Sequence, residues 1–335
     1  NRFTPNIVRD GNEPKEFSSI ELTQYSDLTV TKYESISEVL ELYYSERNTY
    51  TRIRQKSADL RKHVNTLLER NQKKYSLQMK QLKDSEKREK YKVYGELINA
   101  FGYGLTPDDK FLEAANYYDD NKIIKIPIDN TKTPAENAQK YFRDYKKKQT
   151  AGQMLKKLLL EGEDEIEYLA NVLYEVETAP GEQALNEVRA ELKSQGYLKY
   201  YKQRERKQKP ADFLRYRSSD GFEILIGRNN LQNDKLTLHT ARGKDVWFHV
   251  QKAPGSHTVV MSRGEDVPDT TKQEAAELAV LHSSQNGGAK VPVDTTEVRN
   301  IWKANGARPG MVLYNDYTTV YITPRAGLEE QLREK

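Results

Sequence analysis

The sequence has no cysteine. Disulfides and thiol chemistry are therefore excluded. This suits a reducing compartment, but cysteine-free chains also occur on bacterial surfaces. No apolar run approaches the roughly 20 residues of a membrane span. Hydrophobic residues make up only 36% of the chain and the mean hydropathy is -0.90, low for one compact globule. A long solvated helical element would explain both values. Large excess charge is also missing: charged residues are 31% of the chain, yet the net charge is +4. What matters is where the basic residues cluster. The chain opens at Asn1 in mid-pattern, so the lack of a visible leader says nothing about targeting.

What is present divides 335 residues into two or three domains. Residues 1–33 alternate short apolar runs (Phe3, Ile7-Val8, Ile20, Leu22) with the turn formers Asp10-Gly11-Asn12, as in a hairpin-like remnant of a preceding domain. Residues 34–196 read as an antiparallel coiled-coil arm. Val39, Tyr43, Tyr50, Ile53, Leu60, Val64 and Leu67 fall on three- and four-residue steps, predicting a helix from Ile36 to Tyr94. Tyr145, Lys148, Gly152, Leu155, Leu159, Gly162, Ile166, Leu169, Leu173 and Val176 repeat the pattern on the way back. Between them lies a tip insert over 95–132, with strands Phe111 to Tyr118 and Ile123 to Ile128. Thr133-Pro134-Ala135-Glu136 is a capping box that restarts the helix. At about 1.5 Å per residue, such an arm would reach about 65 Å.

Glu182 to Gln195 predicts a shorter helix, and 197–212 is a basic linker with Lys199, Lys202, Arg204, Arg206, Lys207 and Lys209. Residues 213–335 predict an α+β domain. Its strands are Leu214 to Arg217, Phe222 to Ile226, Val291 to Val293, Val298 to Trp302, Met311 to Tyr314 and Thr319 to Ile322. Leu231 to Thr240 and Thr271 to Ser284 are its helices. Its centre is Asp245-Val246-Trp247-Phe248-His249-Val250, followed by Pro254-Gly255-Ser256-His257 and the apolar run Val259-Val260-Met261. This reads as two buried strands joined by a Pro-Gly turn. Val246, Phe248 and Val250 form one aliphatic face, while Asp245, Trp247 and His249 form a polar one.

Four chemistries suit Asp245, Trp247, His249 and His257. Zinc ligation has little support without cysteine or a helical histidine pair. A hydrolase built on Ser256 lacks the Gly-x-Ser-x-Gly elbow. A satisfied buried polar network and an RNA-facing surface with stacking rings remain, and the two are compatible. Gly227-Arg228-Asn229-Asn230 lies between a strand and a helix. It reads either as a plain cap with Asn230 closing the helix or as an anion site with Arg228 on a phosphate. Lys235, Arg242, Lys244, Lys252, Lys290 and Arg308 recur around these motifs, where they could neutralise phosphates.

The pattern Asp-x-Trp-x-His-Val then Pro-Gly-Ser-His resembles the NFACT-R domain, the C-terminal RNA-binding module of the RqcH/NEMF family. That family includes the fibronectin-binding-protein type of Gram-positive cocci. Gly227-Arg228-Asn229-Asn230-x-x-Asn233-Asp234, Lys290-x-Pro292 and Arg308-Pro309-Gly310 fit the same pattern. The helical region resembles the family's middle coiled coil, and its N-terminal domain is expected to be mostly absent. The resemblance implies a cytoplasmic factor that binds the large ribosomal subunit, its rRNA and proteins, together with tRNA. Such factors support C-terminal alanine tailing of stalled chains. It implies no catalytic residue, no cofactor and no metal. The rival expectation, also from the family, is a surface-displayed adhesin binding fibronectin or fibrinogen.

Overall fold

The structure is a computed structural model that describes residues 3–10, 13–22, 24–25, 28–199 and 211–333. The turn residues Gly11 and Asn12 and most of the basic linker (200–210) lie outside the described residues. Two compact units are present. The first comprises residues 1–66 and 167–335, and the second 67–166. The first unit includes both ends of the helical stretch: Val39 and Tyr43 pack with Ile7, and Tyr168 bonds Glu191 at 2.8 Å.

In the first unit, β1 (Phe3–Asp10) pairs antiparallel with β2 (Glu13–Ile20) and β3 (Thr29–Lys32) in the order β2-β1-β3. Ile7 on the central strand packs with Val39 and Tyr43, the first residues of the predicted heptad seam. These lie on α1 (Ile36–Ser85). Arg9 fixes the same contact by a two-point bond to Glu46, with Nε to Oε2 at 3.0 Å and Nη2 to Oε1 at 2.9 Å.

In the second unit, α1 ends earlier than the predicted Tyr94. A 3₁₀ turn over Glu86–Arg88 separates it from α2 (Glu89–Phe101). Ser85 donates back to Leu82 O at 2.6 Å, a local bond that competes with the helix ladder. The tip insert carries β4 (Phe111–Asn116) and β5 (Lys122–Pro127), an antiparallel pair packed with Leu97 and Ile98 of α2. The capping box is in place. Glu136 N–H donates to Thr133 Oγ1 at 3.2 Å, and Thr133 N–H donates to Glu136 Oε2 at 2.8 Å. It starts α3 (Pro134–Thr178). Gly95 faces Phe142, Lys148 pairs Asp84 at 2.5 Å, and Tyr75 bonds Glu163 at 2.6 Å. One number rises as the other falls, so the two helices run antiparallel here.

The first unit resumes with α4 (Glu182–Ser194). A six-stranded antiparallel sheet follows, in the order β13-β10-β8-β9-β7-β6. Its strands are β6 (Leu214–Arg217), β7 (Glu223–Ile226), β8 (Val246–Val250), β9 (Thr258–Met261), β10 (Val291–Glu297) and β13 (Thr318–Ile322). One face carries α6 (Asp269–Leu281) and α7 (Leu328–Leu332), over a core that includes Ile224, Phe248, Val260, Val293, Leu278 and Leu332. Across the other face lie α5 (Asn230–Asp234), a π-helical turn over Lys235–Thr240, and a ribbon of β11 (Ile301–Trp302) with β12 (Leu313–Tyr314). Val298 to Trp302 is thus not one strand. Asn300 Nδ2 donates to Thr296 Oγ1 at 3.0 Å, and Val298–Asn300 forms a 3₁₀ turn. Nor are β8 and β9 joined by a tight Pro-Gly turn. Residues 251–257 connect them, with Lys252 at φ 53.

Candidate nucleic-acid interface

Both faces of β8 are covered, and this decides what its polar residues do. Trp247 is 1% exposed and packs with Leu225, Leu236 and Val259. Its indole stacks on His249 at 5.7 Å and 13° and meets His257 edge-on at 5.2 Å. His257 is buried. Its Nδ1 lies 2.8 Å from Thr237 Oγ1, and its backbone N–H donates to Asn233 Oδ1 at 3.0 Å. Burial first, then neighbouring His249, holds its pKa well below the ordinary histidine value. Burial lowers His249 as well. Burial thus disfavours the charged form of both rings. Asp245 accepts Ser262 N–H at 2.8 Å, Ser262 Oγ at 3.0 Å and Arg242 N–H at 2.8 Å. Of the two readings the sequence leaves open for the polar face, the buried network is the one the fold adopts. Trp247, His257 and Asp245 sit inside it, and His249 is half-buried.

Asp245 and His257 flank opposite ends of β8, so they do not form a relay with Ser256. The half-buried Ser256 uses its N–H on His282 O at 3.0 Å. Among the described residues, no group of three or more His, Cys, Asp or Glu side chains could hold a metal ion.

The Gly227 to Asp234 segment is a structural joint. Asn229, rather than Asn230, is the cap of α5, and its Oδ1 accepts Gln232 N–H at 2.9 Å. The Asn229 amide donates to Glu187 of α4 at 2.7 Å, and Asn230 Nδ2 donates to Glu191 of α4 at 3.2 Å. Both asparagines are buried. Gly227 is required because a Cβ there would overlap Asn233 Oδ1. Asp234 accepts Gly310 N–H at 3.1 Å and pairs with Lys303. Arg308 lies over the rings of Tyr168 and Tyr197, at 5.2 and 5.0 Å. Burial pushes the Glu191 carboxyl up to about 7, and raises Glu175 beside it.

The exposed cations remain as candidate contacts, and the sheet divides them. Arg228, Lys252 and Lys290 lie in loops at the end where β8 finishes and β10 begins; Arg242 and Lys244 lie at the opposite end. A five-residue strand separates the two groups by about 17 Å, so they do not form one patch. The exposed Lys235 sits over the Phe213 ring at 5.4 Å. Arg228 is exposed, with its Nε on Asp212 O at 2.8 Å.

A second cationic surface emerges only on folding. Residues 70–92 and 140–157 hold sixteen lysines and arginines against four carboxylates. Lys73, Lys74, Lys80 and Lys83 mark the outgoing helix in the sequence. Pairing with the returning helix adds Arg143, Lys146 and Lys147, all exposed. A groove of about 600 Å³ there is lined by Lys80, Asp84, Tyr91, Lys147, Lys148 and Leu155.

The fold is a helical hairpin and an α+β module, and comparison with known proteins gives its family. A family profile described as NFACT N-terminal and middle domains matches residues 1–211, and one described as the NFACT protein RNA binding domain matches 212–316. The chain belongs to the NFACT family. It is 35% identical over 337 residues to the Rqc2 homolog RqcH of Bacillus subtilis, covering 99% of this chain and 58% of that protein. It is 37% identical over 298 residues to the Rqc2 homolog RqcH of Streptococcus suis, covering 87% of this chain and 52% of that protein. It thus spans a little over half the length of these relatives. A solved structure of the C-terminal of the fibronectin/fibrinogen-binding protein from Streptococcus suis superposes with a TM-score of 0.67 at 32% identity, covering 84% of this chain and all of that one. No helix among the described residues is long and apolar enough to cross a membrane.

Proposed function

We propose that this chain is the RNA-binding part of a ribosome-associated quality-control factor. It binds the obstructed large ribosomal subunit, through rRNA and ribosomal proteins, and it binds tRNA. In this way it supports C-terminal alanine tailing of stalled chains in the cytoplasm. It acts by binding and positioning, without catalytic residues of its own. The observation that carries this reading is the match of the NFACT RNA-binding domain to residues 212–316. The relatives named as Rqc2 homologues support it. The loop cations Arg228, Lys252 and Lys290 and the cationic stretch of the hairpin supply phosphate-neutralising charge. The test is co-sedimentation of the purified chain with large ribosomal subunits bearing peptidyl-tRNA. Retention at low salt that is lost as salt rises is expected. A chain left in the supernatant at low salt contradicts the reading.

A second reading, an adhesin for fibronectin or fibrinogen, is favoured by one observation, the description of the similar Streptococcus suis structure. Immobilised fibronectin tests it. Capture that survives excess tRNA supports the adhesin, and capture abolished by tRNA does not.

A further inference from the structure

The buried state of Trp247 and His257 leaves the C-terminal module without its expected stacking rings, yet exposed aromatic surface exists elsewhere in it. The ribbon of β11 and β12 pairs Ile301 with Tyr314 and Trp302 with Leu313. Side chains alternate across a ribbon, so its two faces differ. Ile301 and Tyr314 face inward on the Trp247 cluster. Trp302 and Leu313 face outward, 46% and 50% exposed. Tyr317, also 50% exposed, stands edge-on against Tyr314 at 5.2 Å and 84°. Tyr314 is anchored in turn by its hydroxyl on Asp294 at 2.8 Å. The outer rings are therefore held on a rigid support while their faces stay open.

The charge around them is mixed: Arg299 pairs with Glu297 at 2.6 Å, Lys303 pairs with Asp234, and Asp316 adjoins Tyr317 in sequence. The rings therefore set the occupant: open aromatic faces match unpaired bases, and the RNA binding domain profile spans Trp302 and Leu313.

We propose that the outer face of this ribbon, Trp302 with Leu313 and the neighbouring Tyr317, is a stacking platform for unpaired bases of single-stranded RNA. This rests on the RNA-binding reading above and gives it a site that the sequence motifs do not mark. It also explains how a module whose signature tryptophan is buried can still engage bases.

The chain has two tryptophans, and Trp302 is the exposed one. Titration of the full chain with a short oligoadenylate, followed by intrinsic fluorescence, should quench Trp302. Trp302→Ala should weaken oligoadenylate binding by about 5- to 100-fold. Its affinity for an RNA duplex, set by phosphate contacts, should stay within about twofold. Trp302→Tyr should restore most of the single-strand affinity, which a mere folding defect would not allow. If Trp302→Ala binds oligoadenylate like the unmodified chain, or loses strand and duplex equally, the platform is wrong. If the unmodified chain binds neither RNA, the underlying RNA reading fails instead.

Discussion

Asn230 donates its side-chain amide to Glu191 at 3.2 Å, and the same carboxylate oxygen accepts the Tyr168 hydroxyl at 2.8 Å. The bond joins the C-terminal module to α4 through a residue of the motif Gly227-Arg228-Asn229-Asn230. Removing one partner of a buried hydrogen bond leaves the other unsatisfied, at a cost of about 1–3 kcal/mol. Asn230→Ala should therefore lower stability by about that amount in urea unfolding, with a smaller effect for an exposed neighbour such as Leu231→Ala. Equal, negligible losses would remove the joint as the motif's role.

The same joint sets a pH dependence. Glu191 is raised by burial from 4.5 to about 7, and Glu175 is raised in the same direction. Between those values the folded chain holds protons that the unfolded chain has released, so stability falls as pH rises from about 4.5 to about 7. Glu191→Gln keeps an oxygen for Tyr168 and Asn230 but cannot ionise. It should flatten this slope and be more stable than the unmodified chain above pH 7. His257 works in the opposite sense. Its lowered pKa makes stability fall as pH drops below about 6.5, which should persist in Glu191→Gln. Urea midpoints across pH 4.5 to 8 read both effects.

Arg228 and Trp247 should separate binding from folding. Arg228 is exposed, so Arg228→Ala should leave the melting temperature unchanged and reduce the salt slope of RNA binding by about 1. Trp247→Ala should cost about 3–5 kcal/mol by opening a cavity among Leu225, Leu236 and Val259. Any loss of RNA binding in that variant should track loss of folded protein. A fully folded Trp247→Ala chain with weakened RNA affinity would return the indole to the interface.

Much of the fold was legible because it is encoded locally. The Thr133 to Glu136 capping box, the strand Leu214–Arg217 and the seam positions Val39, Leu60, Val64 and Leu169 depend on neighbours within a few residues. The Trp247 face was legible only as two open readings, a buried network or an RNA-facing surface, and the first is what the fold adopts. A period of two says that a strand has two faces, not what covers each. The cover comes from Leu236 and Tyr314, the latter 67 residues downstream of Trp247. The role of Asn229 and Asn230 was hidden for the same reason, since their partners Glu187 and Glu191 lie in another element. Which of the loop cations lie together was not legible either, because strand order decides which loops share an end of the sheet, and motif spacing does not. In the other direction, the cationic hairpin became visible only when Lys80 and Lys147 met across it.

That hairpin surface carries its own expectation. Lys80 and Lys147 line one groove and are exposed. Replacing both with glutamate should leave thermal stability nearly unchanged and weaken binding to large ribosomal subunits, with a shallower salt dependence. Unchanged affinity would assign the sixteen cations to solvation alone.

The most direct measurement is the affinity of this chain for tRNA across 50 to 200 mM salt, with fibronectin titrated in parallel. Log affinity for tRNA should fall linearly with log salt, as expected for several displaced phosphate counterions, while fibronectin binds weakly or not at all. A chain that ignores tRNA even at the lowest salt and binds fibronectin would contradict the RNA-binding assignment.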